Sequence, residues 1–362
     1  MGDQKMVAHF IANVVSLLGK KMRQTKQTLI YILQRLLLMV VTFIIIFLIC
    51  FILVRMLPIP FDSGMGDPNK IHLKLVAQGR EKYDEATGEY ITTPVLEQLW
   101  NFIAGLFNPN NEAPWGYSFT GAGDFLSTPD EILFSRMAPT ILINVYSMIL
   151  SIPLGIAIGI FMALKKNKWQ DHVLSVVIML FISVPSFVYA FLLQNIFAYQ
   201  WQILPPMVDD AKNLAEWLGP SAFKSMILPV LAMSFGSIAG FARYTRAELT
   251  EVLTSDFMLL ARTKGLTKTQ ATVRHAFRNS LVPIFPMILG TIISVLSGSL
   301  IIENIFSIPG VGDIYLDSIQ KRDYDVFQFV SMFYIAIGLI GTLVVDVSYG
   351  LVDPRIRMGS KK

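Results

Sequence analysis

The sequence predicts an all-α membrane protein with six transmembrane helices, and three observations carry that expectation. Of 362 residues, 53% are hydrophobic and only 15% charged, with a mean hydropathy of +0.54, whereas a soluble domain carries about 25% charged residues. Six segments are long and apolar enough, or nearly so, for a hydrocarbon core that takes roughly 20 helical residues to cross. The charges between them change sign from one connection to the next, the pattern that membrane sidedness imposes.

Taken in order, the spans are expected at 36–57, 138–164, 173–199, 226–242, 281–302 and 326–351. Uninterrupted apolar runs without period-two alternation favour helices over strands, since lipid leaves no partner for an open backbone. The N-terminal stretch holds Lys5, Lys20, Lys21, Arg23, Lys26 and Arg35 against Asp3. The connection 58–137 carries eleven Asp/Glu and five Lys/Arg, the stretch 243–280 seven bases and three acids, and 303–325 five acids and two bases. Basic and acidic sides alternate throughout. Both termini are therefore expected in the cytoplasm. The net charge of +4 is the sum of an acidic outside and a basic inside and implies no nucleic-acid partner.

The domain division that follows is 1–29, a cytoplasmic N-terminal segment; 30–57, the first span; 58–137, an extracytoplasmic insertion; 138–351, the core; and 352–362, a cytoplasmic tail. In the first segment Val7, Phe10, Ile11, Val14 and Leu18 recur at helical spacing, as in an interfacial amphipathic helix, or they belong to a loosely ordered tail. Its bases follow the apolar stretch rather than precede it, which disfavours a signal peptide. The insertion contains a charged stretch, 80–89, and an amphipathic one, 95–107. Thr128, Pro129 and Glu131 have the order of an N-cap, a first-turn proline and a capping-box glutamate.

Catalysis by this chain finds no support. G-x-x-x-x-G-K-[ST], H-E-x-x-H and G-x-S-x-G are all absent, the four histidines are scattered, and Cys50 is the single cysteine. No catalytic residue and no metal site is expected. The one acid within a span apart from its ends, Asp346, is expected near the inner surface, reaching the interface or pairing with an arginine, with a proton relay as the alternative.

The stretch 243–280 is different from the rest. Ser255 and Asp256 can open a helix that Gly265 ends, as a C′ glycine at positive φ does. Thr267 and Gln270 have capping-box spacing and open a second helix over 268–277. Two short helices around a glycine corner would make an exposed knob. Its apolar residues Phe257, Leu260 and Leu266 imply a partner surface, or else the pair folds back on the membrane.

The run Ala261-Arg262-Thr263-Lys264-Gly265-Leu266, followed by Arg274-His275-Ala276-Phe277-Arg278-Asn279 and Pro283, closely resembles the coupling loop of ABC importer permeases, in particular the B-type subunit of the oligopeptide/dipeptide/nickel family. Ala261 and Gly265 match the second Ala and the Gly of E-A-A-x-x-x-G. Leu259 and Leu260 replace the E and first A, as in the peptide branch. Tyr31 to Leu37, Arg55-Met56-Leu57-Pro58, Trp115 to Ser118, Ile152 to Gly155, Val184 to Phe187, Asp256-Phe257, Glu303 to Gly312, Arg322 to Tyr324 and Asp353-Pro354-Arg355 extend the resemblance. The usual P-G-D-P is replaced by Pro58-Ile59-Pro60-Phe61, and the stretch 62–114 is longer than the family core usually allows there.

The resemblance implies a type I importer permease in the plasma (inner) membrane of a prokaryote, one half of a pore for oligopeptides, with dipeptides or nickel as alternatives; a secondary transporter, working without ATPases, is the more distant rival reading. It implies a second permease subunit, two ATPase subunits holding ATP and Mg, and an extracytoplasmic substrate-binding protein, which the insertion is expected to touch. Asp256, Phe257, Leu260, Ala261, Arg262, Lys264, Gly265, Leu266 and His275 are the expected coupling residues. Polar groups in mid-span, Asn144, Ser147, Ser183, Ser186, Ser234, Ser237, Ser294 and Ser297, are pore-lining candidates, each of which could instead bond its own helix backbone. Gly155-x-x-x-Gly159 and Gly290-x-x-x-Ser294-x-x-x-Gly298 are packing seams, either between subunits or within one.

Overall fold

The computed structural model describes residues 2–57, 68–118, 127–211 and 213–352. The side chains of 1–28, where an amphipathic face was expected, the segment Pro58 to Phe61 and the tail from Asp353 lie outside the described residues. The first span is the last part of α1 (Gly2–Arg55). A small subdomain follows, made of α2 (Pro68–Ala77), an antiparallel hairpin of β1 (Glu81–Asp84) and β2 (Glu89–Thr92), and α3 (Val95–Leu106). Glu81 pairs with Thr92 and Asp84 with Glu89. At the hairpin turn, Asp84 accepts from the Ala86 amide at 2.9 Å and the Thr87 hydroxyl at 3.0 Å, and Gly88 takes φ +71°. Those bonds hold the Asp84 carboxyl below its ordinary value. Alternation over only four residues left this hairpin invisible beforehand.

The core begins with α4 (Pro129–Ser135), whose expected capping box forms: the Thr128 amide donates to Glu131 Oε2 at 3.2 Å. Then come α5 (Met137–Leu164) and α6 (Trp169–Ser183). The third span was expected to be continuous over 173–199. It breaks at Val184-Pro185, and α7 (Ser186–Leu193), prolonged by a widened π-type segment Gln194–Gln200, leaves at 98° to α6. Proline has no amide to continue the ladder and forces the residue before it out of the helical region; Val184 sits at φ −87°, ψ 127°. Hydropathy alone reads straight through such a break.

A short α8 (Leu214–Trp217) leads to α9 (Pro220–Leu253). The fourth span was expected to be short, at 226–242. At 1.5 Å per residue α9 is about 51 Å long, so its charged last turns extend the span well past the hydrocarbon. Next are α10 (Asp256–Thr263), α11 (Lys268–Ala271), a π-type turn Thr272–Phe277 and α12 (Arg278–Ser294). The last three are one helical course with Thr269–Ser294 as its apolar span, which begins a dozen residues before the expected 281 and ends before 302. The chain then turns into α13 (Leu300–Ile305) and α14 (Val311–Gln320) before the final span, α15 (Tyr324–Val352). Among the described residues five helices are long and apolar enough to cross a membrane, or six when the bent pair counts as one span. The described residues form an all-α membrane bundle with one small hairpin.

Helices α5 and α9 make the broadest contact. A Cβ at Gly155 would meet Phe241 Cβ at 2.5 Å and the Ile238 carbonyl at 2.8 Å. One at Gly159 would meet the Ala242 carbonyl and Thr245 Cβ, each at 2.6 Å. The first seam therefore packs within the subunit. Between α5, α7, α9 and α13 lies a core of Ile143, Ala190, Met226, Leu228, Ile302 and Phe306. Asp346 pairs with Arg35 of the first span at 3.1 Å, which accounts for this acid without a relay.

Candidate functional site: the glycine-cornered knob and its mounting

The knob is α10 and the turn after it. Helix α10 is amphipathic: Met258 and Ala261 face inward, while Phe257, Leu259 and Leu260 stand exposed. The inner pair packs with Ala163 at the end of α5, Leu249 on the prolonged α9, and Ala271 and Ala276 on the following helix, with Leu266 against the same cluster. Small side chains predominate, so the helices approach closely and the knob has one seat.

Its corner is a complete Schellman motif. The Gly265 amide donates to the Arg262 carbonyl at 3.0 Å and the Leu266 amide to the Ala261 carbonyl at 3.4 Å. Gly265 takes φ +92°, and nothing lies within 4 Å of where its Cβ would stand. The glycine is required by the backbone and not by lack of space. The capping box predicted after it forms in both directions: Thr267 N–H to Gln270 Oε1 and Gln270 N–H to Thr267 Oγ1, each 3.2 Å. The second helix does not end at 277 as a knob helix would, but runs on into the fifth span, which links the corner directly to the bundle.

Of the nine coupling candidates, Asp256, Phe257, Leu260, Arg262, Lys264, Gly265 and His275 are exposed, and Leu266 is half-buried. Ala261, only 8% exposed, is part of the knob's own core, where its place is to seat the helix.

A second device fixes the mounting, and sequence reading missed it. Arg246 grips Asp171 with both arms, Nε to Oδ1 at 2.6 Å and Nη2 to Oδ2 at 2.7 Å. Asp171 is buried and also accepts the Asn167 amide at 3.0 Å. This planar fork ties the start of the third span to the extended end of the fourth, one helical turn above Leu249. The partners are 75 residues apart, and no spacing signal connects them.

At the bend of the third span a half-open cavity of about 600 Å³ is lined by Phe181, Val184, Pro185, Ser186, Gly236, Gly240, Tyr244 and Met287, with Arg243 at its knob end. Ser186 is the pore candidate that reaches it, and Ser183 is exposed beside the break. The others lie elsewhere. Ser147 and Ser234 are buried and bond one another at 3.0 Å. Asn144 donates to the Thr140 carbonyl, Ser237 to Met233 and Ser294 to Thr291. Ser297 stands in the turn after α12.

The third feature is Glu303, only 3% exposed. Its Oε1 accepts from Thr140 Oγ1 at 3.0 Å and from the Ser299 amide at 3.2 Å, and its Oε2 accepts from the Gly312 amide at 2.7 Å. Thr140 in turn accepts the Val311 amide at 3.0 Å. Burial raises the Glu303 carboxyl above its ordinary value, against hydrogen bonds from Thr140, Gly312, Asp313 and Ser299 that hold it down. The stretch Glu303 to Gly312 thus folds around its own glutamate and pins it to α5.

Residues 155–358 match the family of binding-protein-dependent transport system inner membrane components. The chain belongs to this family. It is 32% identical to the dipeptide transport system permease protein DppB of Bacillus subtilis over 91% of this chain and 99% of that protein. It is 31% identical to the DppB of Lactococcus lactis, over 91% and 99%. It is 30% identical to the glutathione transport system permease protein GsiC of Escherichia coli K12, over 90% and 98%. The protein is a multi-pass permease subunit of an ABC importer of the peptide type. The knob, with α10 and Gly265, lies within the matched region.

Proposed function

We propose that this permease forms half of a pore for short peptides and that its knob takes the stroke of a cytoplasmic ATPase subunit. The observation that carries this reading is the knob itself: exposed Phe257, Leu259 and Leu260 beside Arg262 and Lys264, on a helix seated rigidly against the ends of three spans. Apolar side chains left in water at a rigid corner fit a protein partner.

Dipeptide and glutathione permeases among the relatives favour cargo at the short end of the expected oligopeptides. The basic knob side is cytoplasmic by the charge rule, with both termini there and the hairpin subdomain outside, facing a substrate-binding protein. A second permease subunit completes the pore. Two ATPase subunits hold ATP and Mg, so hydrolysis belongs to them. The cleft at Pro185, with Ser186 in its wall, contributes one side of the path.

The test is the Gly265→Glu variant of the reconstituted complex, paired with Phe257→Ala. Both variants are expected to reach the membrane. Peptide uptake should fall at least tenfold while the ATPase subunits either detach or hydrolyse ATP without regard to cargo. Normal peptide uptake by both variants would overturn the assignment.

A further inference from the structure

The subdomain helix α3 has a second apolar face that none of the described residues covers. Leu96, Trp100 and Phe107 are 75%, 70% and 83% exposed, and they lie along one side of the helix. The neighbouring side carries Phe102, which stacks on Phe47 at 5.7 Å and meets Phe51 at a tilt, 5.4 Å away, in the first span. Trp115 bridges Phe102 to Phe329 of the last span, at 5.4 and 5.0 Å.

These contacts give the helix a depth. Phe51 and Phe47 lie one and two turns before Arg55, and Phe329 lies one turn after Asp325, so both antiparallel spans place the aromatic cluster about 6–12 Å inside the same level. That level is marked by the buried pair Arg55–Asp325 at 3.5 Å, where the apolar runs of both spans stop. At the same depth Ile49 and Leu53, on the side of the first span away from Phe47 and Phe51, are exposed as well. The charges next to it are already matched, since Glu97 pairs with Lys82 of the hairpin.

We infer that α3 is an interfacial anchor: Leu96, Trp100 and Phe107 sit in the boundary between lipid headgroups and acyl chains on the subdomain's side of the bilayer. Tryptophan with large apolar neighbours is the composition that this layer selects. The occupant is the lipid itself, held through apolar area rather than through headgroup charge. The hairpin is left free to project away from the membrane.

The experiment places nitroxide labels at Leu96→Cys and Phe107→Cys, with Tyr83→Cys and Glu89→Cys on the hairpin as references, in the full chain carrying Cys50→Ala. The protein is reconstituted in phosphatidylcholine vesicles. Collisions with oxygen and with a water-soluble nickel chelate are compared, which requires neither ATP nor peptide. Labels at 96 and 107 are expected to favour oxygen over nickel at least fivefold more than the hairpin labels do. Nickel access equal to that of the hairpin would place the face in water and overturn the inference. Exclusion of both reagents, as beneath a partner permease, would overturn it too, and so would protection from oxygen that appears only when a binding protein is added.

Discussion

Two corners of this permease depend on glycine for opposite reasons. At the knob, Gly265 takes φ +92° in open space. At the Glu303 loop, Gly310 has an ordinary φ of −105°, but a Cβ there would strike the Glu303 carboxylate and come within 2.5 Å of Thr140 Oγ1. The first glycine is held by the conformation of its own backbone, the second by the side chains around it. The difference teaches that an exposed corner can need glycine for its backbone alone, with empty space behind it, whereas a corner that holds one chain together needs it for lack of room.

Substitutions separate the two cases. The largest effect is expected for Gly310→Ala, where the added methyl must displace Thr140 or the carboxylate: a loss of about 3 kcal/mol, read as a lowered Tm in lipid nanodiscs. An unchanged Tm would show that the loop is not packed as described. Next is Glu303→Gln, at about 2 kcal/mol. Every partner of this side chain donates, so the amide of glutamine would face the Gly312 amide, donor against donor.

The same variant has a pH signature. Burial raises the folded pKa of Glu303 above the unfolded one, so its stabilising contribution is full below the ordinary glutamate range. It is lost as pH rises through the raised folded value. The Tm advantage of the natural protein over Glu303→Gln should therefore shrink with rising pH across that window; an advantage that grows would reverse the sign.

The smallest stability effect belongs to Gly265→Ala, about 1 kcal/mol of backbone strain with no collision. Gly265→Asn should cost less, because asparagine tolerates the left-handed region. Both are expected to keep the pore folded by Tm, and transport should recover in the order Gly, Asn, Ala. Equal transport by all three would remove the corner from the mechanism.

What the sequence disclosed follows from how local each signal is. The Thr128–Glu131 and Thr267–Gln270 boxes and the Gly265 corner were legible because each is complete within a few residues. Asp346 was legible because an acid in an apolar run must find a partner, and Arg35 is there. The break at Pro185 was hidden by its apolar neighbours, since hydropathy counts side chains and is blind to a missing amide. The helical ends 243–253 and 268–280 were hidden by the reverse error, because their charges ended the spans in a hydropathy scan although the backbone continues. The Asp171–Arg246 fork joins residues 75 positions apart and the Thr140–Glu303 bond residues 163 apart. Nothing local announces either. The stretch Glu303 to Gly312 was visible as a family mark, but its reason, a loop wrapped on its own carboxylate, needed the fold.

The glycine seam between α5 and α9 has a mechanical consequence. Gly155 and Gly159 bring the two backbones so close that neither an acyl chain nor a water molecule fits between them. Two rods joined along their length resist bending far more than two rods lying side by side. The pair therefore behaves as one beam, with the knob mounted at one end and the core around Met226 and Ile302 at the other. Under the proposed coupling, a push at the knob would arrive across the bilayer as a tilt of the whole beam rather than as a flexure spent along the way.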